Sequence, residues 1–174
     1  RTISNGDMSL KDVKSTISPS MDIQISSNFE RQLFESLEYN SDELSNLMKL
    51  FIKNKGYDVK GKIHDNLKLY YKSKGVDDEL TSLTIKHFYD NYKYISDPHT
   101  ATSLNILKEL RNDDTNVALA CAHPAKFPDA IKNSIGKYPD QPEPLKKIMG
   151  EEEKYINLDN DSELVKKYIL KNIS

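Results

Sequence analysis

A single cysteine in 174 residues excludes a disulfide framework. That sparing use of cysteine points to a reducing compartment, with the cytoplasm expected. No apolar run approaches the ~20 residues that cross a bilayer as a helix, and the start shows no signal-peptide pattern. Positive charge is not in excess: 25 Lys and Arg stand against 27 Asp and Glu, a formal net charge of -2. The lysines are interleaved with acids, which makes solvated faces rather than the basic face of a nucleic-acid binder. Neither nucleic acid nor membrane is therefore expected as a partner. The six glycines stand singly, so no glycine-rich loop is available to cradle a phosphate. Internal repeats and long low-complexity segments are also missing.

What is present is organised around residues 116–131. Val117 to Ala120 form a short apolar run after the polar Asp113-Asp114-Thr115. Such a run, bounded by turn residues, predicts a strand buried on both faces. Pro124 and Pro128 stop it. Pro128 suits the first turn of a helix whose stripe is Ala130, Ile131 and Ile135, with Gly136 as its stop. Cys121, His123 and Lys126 then sit where a buried strand hands over to a helix, the end of an α/β sheet at which ligands bind.

The length predicts one domain with a core of its own. Val13 to Ile17 read as a weak strand, and Ser18-Pro19 as a turn. Ser27-x-x-Glu30 makes a capping box for a helix from Asn28, with Phe29, Leu33, Phe34 and Leu37 on one face. Ser41 caps a second helix over 42–55, striped by Leu44, Leu47, Met48 and Phe51 and ended by Gly56. Residues 57–74 allow a short strand or a broken helix. Asp77 and Asp78 open a helix to Tyr92 that presents Leu80, Leu83, Thr84, His87 and Phe88. Tyr94 to Ser96 read as a strand. Asp97 caps a helix with Pro98 at its first position, running to about Arg111. Strand, helix, strand, helix from Tyr94 to Ile135 is a βαβ unit, which requires a parallel sheet. The expected class is α/β, helix-rich, with a few strands. From 138 to 174 a Pro-rich connection (Pro139, Pro142, Pro144) leads to a last helix capped by Asp161 or Ser162.

Three blocks of this sequence resemble threonine synthases, and they occur in that family's order. Ser18-Pro-Ser-Met-Asp22 with Ser26-Ser-Asn-Phe-Glu-Arg31 is similar to the family's SP(A/S)MDI…SSNFER segment. Asp97-Pro-His-Thr-Ala101 is similar to its DPHTA turn, and Ala122-His-Pro-Ala-Lys-Phe127 to its AHPAKF signature. The blocks span the chain to about Gly136; from Tyr138 on no motif matches. The resemblance implies the C-terminal part of a pyridoxal-phosphate enzyme of the tryptophan-synthase-β fold type (fold type II). It also implies a missing N-terminal partner segment of the same protein, which agrees with a chain that begins at Arg1 rather than Met.

The implied reaction converts O-phosphohomoserine and water to L-threonine and phosphate. The resemblance places Cys121 at the pyridine nitrogen of the cofactor, where the family usually has Ser or Thr. A thiol is a weaker hydrogen-bond partner but still neutral. It places Thr100, Ser18, Met21 and Asp22 near the cofactor. His99, Lys126, Asn28 and Arg31 are the candidates for substrate contact. Each has a plainer reading: Cys121 as a small core residue, His99 and Thr100 as cap and packing, Lys126 as a loop lysine, Asn28 and Arg31 as a cap and a surface charge. The family's Schiff-base lysine lies in a PT-x-x-FKD type motif and its phosphate cradle in a GNxGN type loop; neither occurs here. The fragment alone is therefore expected to lack activity. Two alternatives stay open: a non-catalytic interaction module built on this fold, and a thiol enzyme using Cys121 with His123. Cys121 and His123 are too few for a structural zinc, so no metal is expected. His87 reads as a core histidine.

Overall fold

A computed structural model describes residues 1–110 and 114–173. The elements in order are α1 (Thr2–Asn5), α2 (Ser27–Ser36), α3 (Ser41–Asn54), α4 (Gly61–Tyr70), α5 (Asp78–Tyr92), α6 (Pro98–Glu109), α7 (Pro128–Ile135), α8 (Glu143–Ile148) and α9 (Ser162–Asn172). Short 3-10 turns occupy Pro19–Met21 and Pro124–Lys126. Arg111 and Asp113, where the sequence puts the end of the α6 helix and the start of the next segment, lie outside the described residues.

The chain divides into two compact units, Arg1–Asp140 and Gln141–Ser174, where the sequence suggested one unit with a connection beginning at 138. Within the first unit, α1 to α4 enclose a core of Leu33, Leu47, Val59 and Leu67, with Met8, Phe29, Leu44, Met48, Tyr57 and Ile63 packed around it. The 6–10 segment is bound to the 55–59 segment: Val59 N–H donates to Gly6 O at 2.8 Å and Met8 N–H to Tyr57 O at 3.0 Å. Gly6 has φ +81°, and a Cβ there would sit 2.3 Å from Val59 O, so only glycine fits this close approach. A second core, Ile85, Ala101 and Ile131 with Ile95 and Ile135, forms where α5 packs on α6 and α7. The second unit holds α8 and α9, and α9 starts where the Asp161 carboxylate accepts from Glu163 and Leu164 N–H.

Several sequence expectations shift by one position. Ser26, not Ser27, caps α2, accepting from Phe29 N–H at 3.4 Å. Asn40, not Ser41, caps α3, accepting from Glu43 N–H at 3.1 Å. Residues 61–70 resolve as helix. In α5 the buried side chains are Thr81, Thr84 and Ile85, while Leu83 is exposed and His87 only half-buried. The two threonines enter the core because each hydroxyl donates back to the carbonyl four residues earlier, Asp77 O and Leu80 O, at 2.7 Å. His87 instead meets the Phe88 and Tyr92 rings edge to face.

The sheet is the larger difference. No strand is formed among the described residues; a lone antiparallel bridge joins Asp7 and Asp58. Val13–Ile17, Tyr94–Ser96 and Val117–Ala120 run as unpaired chain. Val117 is 74% and Leu119 76% exposed, although the run reads as buried on both faces. A strand needs neighbours for its N–H and C=O groups and layers over its faces. Among the described residues the chain supplies neither.

Candidate functional site

The Pro98 ring and the Asp97 side chain start α6 for separable reasons. Pro98 fixes φ at the first helical position, and Asp97 accepts from His99 N–H at 2.9 Å. Asp97 does much more than cap. Its residue is 1% exposed, and its two carboxylate oxygens receive four donors. Oδ1 accepts from His99 N–H and from His99 Nδ1, both at 2.9 Å. Oδ2 accepts the Thr100 hydroxyl and, at 3.2 Å, Ala122 N–H. Burial is the largest single influence and opposes ionisation. The donors from Thr100, His99 and Ala122 together outweigh it and hold the carboxyl below its ordinary value.

These bonds fix the state of the neighbours. An ionised carboxylate only accepts, so His99 Nδ1 carries a proton. His99 Nε2 receives Ser20 N–H at 3.2 Å, so Nε2 must offer a lone pair, and the ring is neutral. The imidazole is also held against the Phe127 ring, with centroids 4.9 Å apart. Thr100 Oγ1 donates to Asp97 and accepts Cys121 N–H at 2.9 Å. Thr102 Oγ1 donates to His99 O at 2.8 Å and lies 3.7 Å from Met21 Sδ.

So the three sequence blocks meet. Block 18–22 is closed on itself by Asp22, which accepts from Thr16 N–H and Oγ1 at 2.8 Å each, and Thr16 Oγ1 lies 3.2 Å from Ser18 Oγ. Ser18, His99 and Thr100 are buried, Asp22 is half-buried, and Met21 and Cys121 are exposed. Cys121 is thus not the small core residue of its plainer reading. Its Sγ lies 3.6 Å from Leu119 O. It does not pair with His123, whose Nδ1 accepts Ala125 N–H at 3.1 Å to cap the 3-10 turn. Lys126 is exposed on that turn.

Asn28 and Arg31 stand apart on exposed positions of α2. Arg31 borders a hollow between α2 and α3 with Ser27, Phe34 and Met48. A different hollow, of about 360 Å³, is lined by Ile25, Phe29, Met48 and Phe51 and does not reach the Asp97 cluster. Asp97 is the site residue that sequence reasoning placed as a cap and no more; its signal was the Asp-Pro-His-Thr spacing, which puts two polar side chains in the first turn beside the cap.

Comparison with known proteins points to a single family. The family model "Threonine synthase, C-terminal" matches residues 100–169. Threonine synthase of Eremothecium gossypii is 30% identical over 184 aligned residues, covering 91% of this chain and 36% of that protein. Threonine synthase of Saccharomyces cerevisiae is 35% identical, covering 90% of this chain and 36% of its own length. The chain therefore spans about a third of the curated relatives it matches. The crystal structure of pyridoxal-phosphate-bound threonine synthase from Brucella melitensis superposes with a TM-score of 0.81 at 34% identity, over 97% of this chain and 37% of that one. Sequence and fold together place this chain in the threonine synthase family, as a match to its C-terminal region.

Proposed function

We propose that this chain is the C-terminal part of a threonine synthase that converts O-phosphohomoserine and water to L-threonine and phosphate. The observation that carries the reading is the exposed Cys121 thiol at the point where three family-like blocks are tied together by buried Asp97. Pyridoxal phosphate, when bound, supplies the electron sink for this lyase chemistry. The residues present fit one wall of such a site. Cys121 would present its thiol to the ring nitrogen, with Thr100 behind its backbone. Ser18, Met21 and Asp22 form the adjoining turn. The exposed turn residue Lys126 offers the substrate's phosphate a cation, whereas His99, buried with its N–H and both ring nitrogens engaged, acts behind this wall rather than on the substrate. Asn28 and Arg31 stand off this wall on α2 and meet the substrate only where the rest of the protein carries the site across that helix.

The remaining wall, with the reactive lysine and the phosphate cradle, belongs to the rest of the protein. So do the partner strands for 117–120: an exposed apolar run with no strand pairing among the described residues is what a central strand leaves when its neighbours are elsewhere. On this reading the isolated chain is inactive. A single exposed thiol fits a reducing, cytoplasmic setting.

The test is to express the full-length gene product and this chain separately, each with pyridoxal phosphate, and assay phosphate release and threonine formation from O-phosphohomoserine. Turnover by the full-length protein alone supports the reading. Turnover by the 174-residue chain would overturn its inactive status, and a cofactor-binding full-length protein without turnover would favour a non-catalytic module.

A further inference from the structure

We propose that Asp97 is the positioning residue of this site: its buried carboxylate sets the backbone that presents Cys121 and locks that backbone to the 18–22 turn. The inference rests on the assignment of Cys121 to the cofactor wall and adds a residue which that assignment does not contain.

The argument starts from what holds Cys121. Upstream, the Val117 and Leu119 side chains are exposed and no strand pairing is formed among the described residues; the contact on that side is the 3.6 Å approach of Cys121 Sγ to Leu119 O. Downstream, two consecutive amides are held. Ala122 N–H donates directly to Asp97 Oδ2 at 3.2 Å, and Cys121 N–H donates at 2.9 Å to the Thr100 hydroxyl, which itself donates to the same oxygen. The two bonds flank the Cys121 Cα and so set the direction in which its side chain leaves the backbone. The other oxygen, Oδ1, takes His99 Nδ1 at 2.9 Å and thereby leaves Nε2 free to accept Ser20 N–H at 3.2 Å. One carboxylate thus fixes the thiol through one oxygen and the turn of the opposite block through the other.

The Asp97 side chain has no exposed surface. It cannot touch a ligand and acts only through its neighbours. Thr100 is 2% exposed, with its hydrogen and one lone pair already engaged. It is the relay between Asp97 and Cys121.

The experiment uses Asp97→Asn, Thr100→Val, Thr100→Ser and Cys121→Ser. In the 174-residue chain, amide hydrogen exchange is read at Cys121, Ala122 and Ser20. In the full-length protein, the absorption band of added pyridoxal phosphate and the split between kcat and KM are read. Thr100→Val keeps the shape but removes both hydroxyl bonds, whereas Thr100→Ser keeps them. Expected are exchange at Cys121 about tenfold faster in Thr100→Val and near wild-type in Thr100→Ser, with Asp97→Asn also freeing Ala122 and Ser20. In the full-length protein, Thr100→Val and Asp97→Asn should shift the band and lower kcat by about tenfold to a hundredfold, with KM changed far less.

Unchanged exchange in Thr100→Val would overturn the inference whatever the cofactor does. If Asp97→Asn fails to fold, the Thr100 pair still decides the matter. A Cys121→Ser protein with an unshifted band would instead overturn the cofactor-wall assignment, leaving the exchange result to stand by itself.

Discussion

Asp97 is a charge kept away from water by saturating it. Four donors fill both oxygens, which is the condition under which a buried carboxylate stabilises rather than destabilises. Its folded carboxyl titrates below its unfolded value. The stability it contributes is therefore fully present above the unfolded value, about pH 3.9, and is lost as pH falls through the folded one. Asp97→Asn should destabilise the first unit by about 2–3 kcal/mol at pH 7, because an amide cannot accept from all four donors. The loss relative to wild type should shrink at acid pH; urea unfolding at pH 7 and at pH 3 measures both. Cys121 gives the second prediction at this scale. Its exposure means that iodoacetamide should alkylate it in the isolated chain at a rate close to that of a free thiol. In the full-length protein with cofactor bound the rate should fall, as followed by intact mass.

At the scale of elements, capping chemistry was readable to within one residue. The Ser26-Ser27 and Asn40-Ser41 pairs each offer two good caps. The choice goes to the residue whose backbone is extended, with Ser26 at φ -112°, ψ 112°. Ser26→Ala should therefore cost about 1 kcal/mol, and Ser27→Ala a few tenths at most, by thermal or urea unfolding. Packing at the second core makes a stronger claim. Ile131 of α7 is fully buried against Ile85 of α5 and Ala101 of α6. Ile131→Ala should cost about 2–4 kcal/mol and, because α7 leads straight out of the 122–127 block, loosen the Phe127 contact with His99. Gly6→Ala should be at least as severe, since positive φ and a 2.3 Å clash with Val59 O coincide.

For the molecule as a whole, the open question is what the 117–120 run meets. Its side chains contribute little to the isolated chain, as their exposure shows. Val117→Thr with Leu119→Thr should leave the chain's unfolding free energy unchanged within about 0.5 kcal/mol. The same pair in the full-length protein should destabilise it, because apolar area that a neighbouring strand and its covering helices bury would be lost. Equal effects in both settings would mean that the run packs nowhere. Among the described residues no helix is long and apolar enough to cross a membrane.

Most helices, their caps to within a residue, the turn at Asp97-Pro98 and the three family-like blocks were legible in the order of the residues alone. These are local matters: a cap, a proline or a helical stripe acts over a few neighbouring residues. Tertiary structure decided what local signals cannot carry. It turned α5 so that Thr81, Thr84 and Ile85 are buried, because threonine hydroxyls can return their hydrogen to the helix itself. It left 117–120 bare, because a strand exists only with a partner. It also made Asp97 the common acceptor of segments more than twenty residues apart, a role that exists only once chain distant in sequence has been folded against one carboxylate.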